Sequence, residues 1–564
     1  MKIFSLLLII TTFSFFKSQT FDWQKSFGGT NYDQHVNHIQ TPDGNYVFTG
    51  YTLSNNGDIA VNYGLNDAFL AKIDANGNYL WKKVYGGNND DVPLNIINSN
   101  DNGVVLVSKS KSNSNTFSSN KGNNDLWVTK LDADGNITWN VPIAGSGNEE
   151  KAMVISTLNG YIISLVTNSS DFDFAHAGAV SKDVWIIKLD ESGNILWKKR
   201  LQGSLDDDIS KLKKIDNNEF LVLVNSLSGD GDFSANAAPN INKGFLLRFD
   251  TNGNLQLNAK IESADIQKPN LAYDVYLLNN EYVIGGKEMS VITYNNYDYN
   301  IFKALFYKMS ATGNMIWRTN YITPTYPGNN EVAFIEKASD DNLVFFGMEL
   351  NNNMVGNTWM IKMSNSGTII KNTPLAYART MHDLKKTSTD RFVLAVSYRN
   401  INIPALVGSY YFSFLFISPE GTTVDVFETI KSQQLIASNF SFSITGNDKV
   451  VSFLTESIPP VDSGNKANIF ISSLPVPPVP IPPVLSVNEA NEAGNKIYVY
   501  PNPATDFIKI SEKMDILVLY DVTGKEIIKV KNSNIVDLKN ISAGTYILRA
   551  KNKKADQSFK IIKK

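Results

Sequence analysis

One motif returns along this chain and limits its fold more than any other feature. DAFLAKIDANGNYLWKKVYGG from Asp67, DLWVTKLDADGNITWNVPIAG from Asp125 and DVWIIKLDESGNILWKKRLQG from Asp183 are three copies of it. Weaker copies begin at Phe245, Leu305, Trp359 and Phe414, and the shared glycines Gly77, Gly135, Gly193, Gly253, Gly313, Gly367 and Gly421 fall 54 to 60 residues apart. A repeat of that length is one supersecondary unit that must bury its apolar face against its neighbours.

Each copy sets two alternating apolar stretches around Asn-Gly, Asp-Gly, Ser-Gly or a relative, the signature of a tight hairpin whose turn needs positive φ. A second hairpin lies between copies, as in TPDGNYVFTG at Thr41, NDNGVVLVS at Asn100 and GNDKVVSFL at Gly446. Four strands per period, lettered A to D, predict the blade of a β-propeller. The ends of the repeat region complement each other: FDWQKSFGG from Phe21 matches a D strand alone, and NIFISSL from Asn468 matches a C strand with no D strand after it. The first strand is therefore expected to complete the last blade and close the ring, which removes an open sheet edge.

Counting second hairpins gives eight blades, or seven given that the last two copies are degenerate. The expected fold is all-β: an eight-bladed or seven-bladed β-propeller over residues 20–474, followed by a small Ig-like β-sandwich. All eight tryptophans occupy two repeat positions, Trp23, Trp81, Trp139, Trp197 and Trp317 in D strands and Trp127, Trp185 and Trp359 in C strands. That recurrence argues for packing between blades rather than ligand stacking.

At 564 residues the chain is too long for one ordinary domain. A formal net charge of -3 offers no basic face for phosphates, so nucleic acid is not an expected partner. There is no cysteine, which excludes disulfides and a lipidated-cysteine anchor alike. Lys2, an apolar run from Ile3 to Phe16, and then Lys17-Ser18-Gln19 predict a signal peptide over residues 1–19. That run is short for a membrane span, and no later segment supplies about twenty consecutive apolar residues, so no transmembrane segment is expected in the mature chain.

The residues that carry chemistry are sparse. Only four histidines occur, and His35 and His38, three apart on one strand, are expected to point to opposite faces, which argues against a joint metal site. No nucleophile elbow stands out, and no catalytic residue or cofactor is read. One acidic pattern recurs: Asp33, Asp91, Glu149 and Asp207 each stand four residues after a repeat glycine, in the connection from one blade to the next. The B–C loops are also rich in Asp and Asn, as in SNNGDIAVNYG at Ser54 and SGDGDFSANAA at Ser228. Hard oxygen ligands there suit calcium or sugar hydroxyls. The competing reading is that these side chains cap turns and bond backbone amides between blades.

Gly77 to Trp81 and its equivalents partly resemble the tryptophan-docking repeat of quinoprotein propellers, although Asp74 stands one residue closer to the glycine than that repeat requires. Across residues 21 to 474 the copies resemble more closely a family of secreted bacterial propellers reading D-x-W-x-x-K-x-D-x-x-G-x-x-x-W-x-x-x-x-G-G, a likeness that implies no activity. From Leu474, LPVPPVPIPPVLSVNEANEAGN predicts an extended spacer, residues 475–495.

Beyond the spacer, in residues 496–564, lie Tyr500-Pro501-Asn502-Pro503-Ala504, Tyr520-Asp521-Val522-Thr523-Gly524-Lys525 and Ser542-Ala543-Gly544-Thr545-Tyr546. These segments resemble the type A sorting domain of type IX secretion. The resemblance assigns the sorting motif to Pro501, Asn502, Pro503, Asp521, Gly524, Gly544 and Tyr546. It implies the type IX machinery as partner and passage through a Gram-negative outer membrane to the cell surface or medium. The function expected is a non-catalytic binding module for a glycan or surface protein. The alternative is an extracellular glycoside hydrolase or polysaccharide lyase, which needs paired carboxylates or a His/Tyr/Arg cluster at the ring mouth.

Overall fold

The computed structural model describes residues 21–177, 181–294, 297–323, 328–350, 356–377, 380–399, 410–419, 423–432, 440–445, 449–458, 466–475, 499–500, 504–521, 525–552 and 556–563. The expected signal peptide, residues 476–495 of the expected spacer, and Pro501, Asn502, Pro503 and Gly524 lie outside the described residues. Two compact units are distinguished, Met1–Pro477 and Pro478–Lys564.

Among the described residues the first unit contains eight four-stranded antiparallel sheets. Sheet 1 is Asp33–Gln40, Tyr46–Thr52, Asp67–Ile73 and Tyr79–Tyr85, strands A to D in spatial as in chain order. Sheets 2 to 7 repeat this order, with A strands that begin at Asp91, Glu149, Asp207, Asn270, Asn329 and Thr380. Sheet 8 takes Phe440–Ile444, Lys449–Ile458 and Lys466–Pro475 from late in the chain and its fourth strand, Trp23–Phe27, from the beginning. That strand pairs from Trp23 opposite Ser473 to Phe27 opposite Ile469. Successive A strands touch one another around a complete circuit, and the A strand of sheet 8 touches that of sheet 1. The unit is a β-propeller.

The core lies between sheets. Val105, Leu126 and Val128 of sheet 2 share a cluster with Val154, Ile163 and Trp185 of sheet 3, and Phe27, Phe453 and Ile471 of sheet 8 share one with Phe48 and Phe69 of sheet 1. Strand C of sheet 1, covered on both faces, is buried at every position, with an apolar run from Ala68 to Ala71 between Asp67 and Lys72. Its neighbour Tyr79–Tyr85, at the sheet edge, begins with half-buried and exposed residues in alternation.

Five D-strand indoles fasten each of their sheets to the next one. Trp23, Trp81, Trp139, Trp197 and Trp317 donate from Nε1 to the carbonyls of Ala75, Ala133, Glu191, Thr251 and Asn365 at 3.1, 2.9, 2.9, 3.2 and 2.9 Å. The ring lies over the next hairpin turn: at Gly193, whose φ is +84°, an added Cβ would stand 2.9 Å from the Trp139 ring. The repeat glycine thus serves both its own turn and the tryptophan of the preceding copy.

In seven of the eight A strands the pairing with strand B slips at the same place, for example between His35 and Asn37 and between Pro93 and Asn95. A β-bulge of this kind inserts a residue and re-aims every side chain after it.

The second unit is all-β. Its described strands, Val499–Tyr500, Phe507–Asp521, Glu526–Asp537, Gly544–Lys551 and Asp556–Lys563, form a single five-stranded sheet. Pairing jumps from Lys509 opposite Ile535 to Met514 opposite Ser533. The irregularity reverses side-chain parity, so Ile508 and Ile510 before it enter the same core as Leu517 and Leu519 after it, with Leu548 and Ile561. Among the described residues no helix is long and apolar enough to cross a membrane.

Candidate functional site

The four acidic residues singled out by the repeat each head the A strand of a different sheet, and all are buried. The structure does not bring the four together. Asp33 accepts from the Gly29 N–H at 2.7 Å, the Thr52 hydroxyl at 2.5 Å and the Ser54 hydroxyl at 3.0 Å. Asp91 does the same with Gly87, Ser110 and Ser112 at 2.7, 2.5 and 2.9 Å. Glu149 accepts from Thr167 and Ser169, both at 2.7 Å, and Asp207 from Ser226 and Ser228 at 2.5 and 3.1 Å. Each carboxyl therefore ties its A strand to a hydroxyl-x-hydroxyl pair at the end of its own B strand. In sheets 1 and 2 it also holds the glycine that leads in from the preceding sheet.

The Thr/Ser-x-Ser pair recurs in the sequence 18 to 21 residues after the acid, a signal legible only once the two strands are known to be neighbours. Burial pushes the Asp91 carboxyl up to about 6, Asp207 to about 7 and Glu149 to about 8. Among the described residues no group of three or more His, Cys, Asp or Glu could hold a metal ion.

The B–C loops and the D–A connections emerge at one end of the sheets. The loops of sheets 1 to 4 are pinned by a buried apolar plug, Ile59, Phe117, Phe174 and Phe233. Each loop is also held by the D-strand residue after the tryptophan position. Lys82 meets Asp58 at 2.9 Å, Asn140 the Thr116 carbonyl at 2.6 Å, Lys198 Asp173 at 3.1 Å, and Asn258 the Asp232 carbonyl at 2.6 Å. At sheet 1, where the plug is isoleucine rather than phenylalanine, there is a cavity of about 400 Å³ lined by Phe27, Ile59, Val61, Tyr63, Lys82 and Val84.

Sheet 5 departs from the repeat. Its strands Glu281–Tyr294 and Tyr297–Met309 stay paired for six residue pairs beyond Glu288 opposite Lys303, the point equivalent to Thr52 opposite Asp67. Val291 and Tyr299 of this projecting hairpin are exposed, as are Val61, Tyr63, Leu65, Phe172 and Ile266 on other connections at the same end. VITY and YDYN flanking Asn295-Asn296 carry the hairpin signal in the sequence, but the regular repeat draws attention away from it.

His35 and His38 correct the sequence expectation. They do not point to opposite faces, because the bulge between His35 and Asn37 adds a residue and returns His38 to the side of His35. Ser441 Oγ lies 2.8 Å from His35 Nε2 and 2.7 Å from His38 Nδ1, and Ser443 Oγ lies 2.8 Å from His38 Nε2. Phe453 stacks on both rings, with centroids 5.5 and 4.3 Å away. Burial pulls His35 down to about 3 and holds His38 well below the ordinary histidine value, so both rings are neutral. The cluster fills the seam where sheet 8 meets sheet 1. His176 and His382 stand apart, on the Phe174 carbonyl and the Ser397 hydroxyl at 2.8 and 2.9 Å.

Of the sorting-motif residues described, Asp521 ends its strand opposite Tyr546, and its carboxylate accepts the Lys525 N–H at 3.0 Å. Gly544 opens the strand that carries Tyr546, whose hydroxyl donates to the Ser542 carbonyl at 2.9 Å.

The ring of four-stranded sheets, with its B–C and D–A connections gathered at one end, defines the class: a β-propeller joined to a second, small β unit. Residues 498–564 match the family described as a secretion system C-terminal sorting domain. The protein is exported by type IX secretion to the cell surface or extracellular space. Solved structures similar to this chain include the periplasmic gluconolactonase of Pseudomonas aeruginosa, at 9% identity and TM-score 0.38, covering 68% of this chain and 96% of that one. An ulvan lyase, a polysaccharide lyase, matches at 10% identity and TM-score 0.37 over 73% of this chain and 96% of its own. The WD40 domain of Neurospora crassa Pan2 matches at 11% identity and TM-score 0.32 over 69% and 90%. No curated protein matches the chain.

Proposed function

We propose that this exported propeller is a binding module that holds a glycan or a surface protein at the end carrying the B–C loops. The observation that carries the reading is the hairpin of sheet 5, which runs six residue pairs past the repeat and exposes Val291 and Tyr299. An exposed aromatic on an otherwise regular scaffold gains its free energy by covering a ligand, since burying it in the ring is not open to it. Tyr63, beside the sheet 1 cavity, offers a second aromatic face at the same end, and the Asp and Asn side chains of the loops offer acceptors and donors for hydroxyl groups.

The test is retention of the purified protein on a panel of polysaccharides, with and without calcium, with reducing-end release followed in the same wells. Retention without product, lost in Tyr299→Ala while the melting temperature stays within about 1 °C of the parent, is the expected result, since an exposed side chain contributes little to folding. Product release would replace the reading with that of a polysaccharide-acting enzyme. Retention abolished by a chelator would give the acidic loops a ligand role.

A further inference from the structure

We propose that the buried carboxyl pair at the seam between sheets 2 and 3, Asp125 with Glu149, holds a single proton, so that this seam tightens in mild acid and loosens in mild alkali.

The pair arises from how one sheet meets the next. The N–H of the first A-strand residue donates to the carbonyl just before the preceding C strand: Asp91 to Asn66 at 2.6 Å, Glu149 to Asn124 at 2.8 Å, Asp207 to Lys182 at 2.7 Å. That bond sets the side chains of two acidic positions side by side in a dry seam. At the second seam, Asp125 and Glu149 are fully buried, and their carboxyl groups lie within hydrogen-bonding reach of each other.

Among the described residues, Asp125 Oδ1 and Glu149 Oε2 receive no hydrogen bond from any donor, while the second oxygen of each takes the Lys121 N–H and the hydroxyls of Thr167 and Ser169 respectively. Two carboxylate oxygens attract only if one of them carries a proton. At the first seam Asp67 Oδ1 is likewise buried, but both oxygens of Asp91 accept hydrogen bonds, from Gly87, Ser110 and Ser112, so no two unpartnered carboxyl oxygens face each other there.

The next two seams meet the same problem differently. Asp183, facing Asp207, is given a cation, Arg200 Nε at 2.9 Å from Oδ2. At the fourth seam the acids are gone: Lys243 and Asn270 occupy the two positions. The first two seams have neither device. The charged groups around them are engaged elsewhere: Asp90 with Lys111 at 3.8 Å, Asp58 with Lys82 at 2.9 Å, Glu150 with Lys182 at 3.3 Å and Asp173 with Lys198 at 3.1 Å. Asp171 accepts the Ser146 N–H at 2.8 Å, and the Lys121 ammonium sits 5.8 Å from the Phe172 ring centroid.

Burial, reinforced by the neighbouring acid, pushes Glu149 up to about 8 and Asp67 to about 7. A carboxyl raised on folding contributes its full stability below its unfolded value and loses it as pH rises through the folded one, here from about 4 to about 8.

The experiment is thermal melting of the full chain from about pH 5 to about pH 9, beside Glu149→Gln, whose amide keeps a donor toward Asp125 and cannot titrate. The melting temperature of the parent should fall across the window, and that of Glu149→Gln should fall less and exceed it at the alkaline end. Parallel slopes would overturn the proposal. So would a calcium-induced rise at alkaline pH in the parent alone, because the pair would then hold a cation. Should the variant not fold, a ¹³C carboxyl titration of the parent decides: a Glu149 midpoint near 8 supports the shared proton, and an ordinary glutamate midpoint sinks it.

Discussion

Trp139 carries two loads at once, since its indole covers the Gly193 turn of the next sheet and its N–H meets the Glu191 carbonyl at 2.9 Å. The side chain is only half-buried, so the cost of losing it falls below that of a core tryptophan. Trp139→Ala should destabilise the ring by about 2 kcal/mol, read as a lower denaturant midpoint, and Trp139→Phe should recover part of that by keeping the ring and losing the hydrogen bond. Equal losses in the two variants would mean that the bond alone matters. At this scale the sequence was legible: glycine and tryptophan recur in every strong copy. The partners were not, because Gly193 and Trp139 belong to different copies.

Among the elements, the strand Trp23–Phe27 decides whether there is a ring at all. It supplies the edge of sheet 8, the Trp23 indole that reaches Ala75 of sheet 1, and Phe27 in the cluster between those sheets. Deleting residues 21–27 should leave the Lys466–Pro475 strand with an open edge and promote self-association beyond that of the parent, seen as a concentration-dependent rise in mass by light scattering. A deletion variant with the parent's mass and an unchanged melting temperature would show the closure to be dispensable. This element was predictable because an orphan D strand and an orphan C strand stand at opposite ends of the repeat. The hairpin of sheet 5 is the contrary case, an insertion that breaks the period.

The whole ring is squeezed by pH from two sides. The Asp125 and Glu149 seam weakens in alkali, and the His35 and His38 seam weakens in acid. A histidine whose value is lowered on folding contributes full stability above its unfolded value, near 6.5, and loses it as pH falls toward the folded one, about 3 for His35. The denaturant midpoint of the parent should therefore decline on both sides of a maximum in mild acid, where the two windows overlap. His38→Gln, which keeps hydrogen-bonding capacity without a titratable ring, should flatten the acid side below about pH 6. An acid limb unchanged in that variant would assign the loss to other groups.

The sequence by itself determined the repeat, the strand count of each copy, the closure of the ring by its first strand, and the motif that sends the protein out of the cell. All of these are written along the chain itself, as alternation, turn residues, spacing and the complementary fragments at its two ends. Only the tertiary structure decided what faces what. A bulge is a property of two paired strands and not of either one, so the parity of His35 and His38 could not be read from their separation, nor could the single bent sheet of the second unit. Seams join residues remote in the chain: His35 meets Ser441 across 406 positions. A carboxyl becomes a proton holder only when packing removes its water and sets another carboxyl beside it, and that environment exists in the folded ring alone.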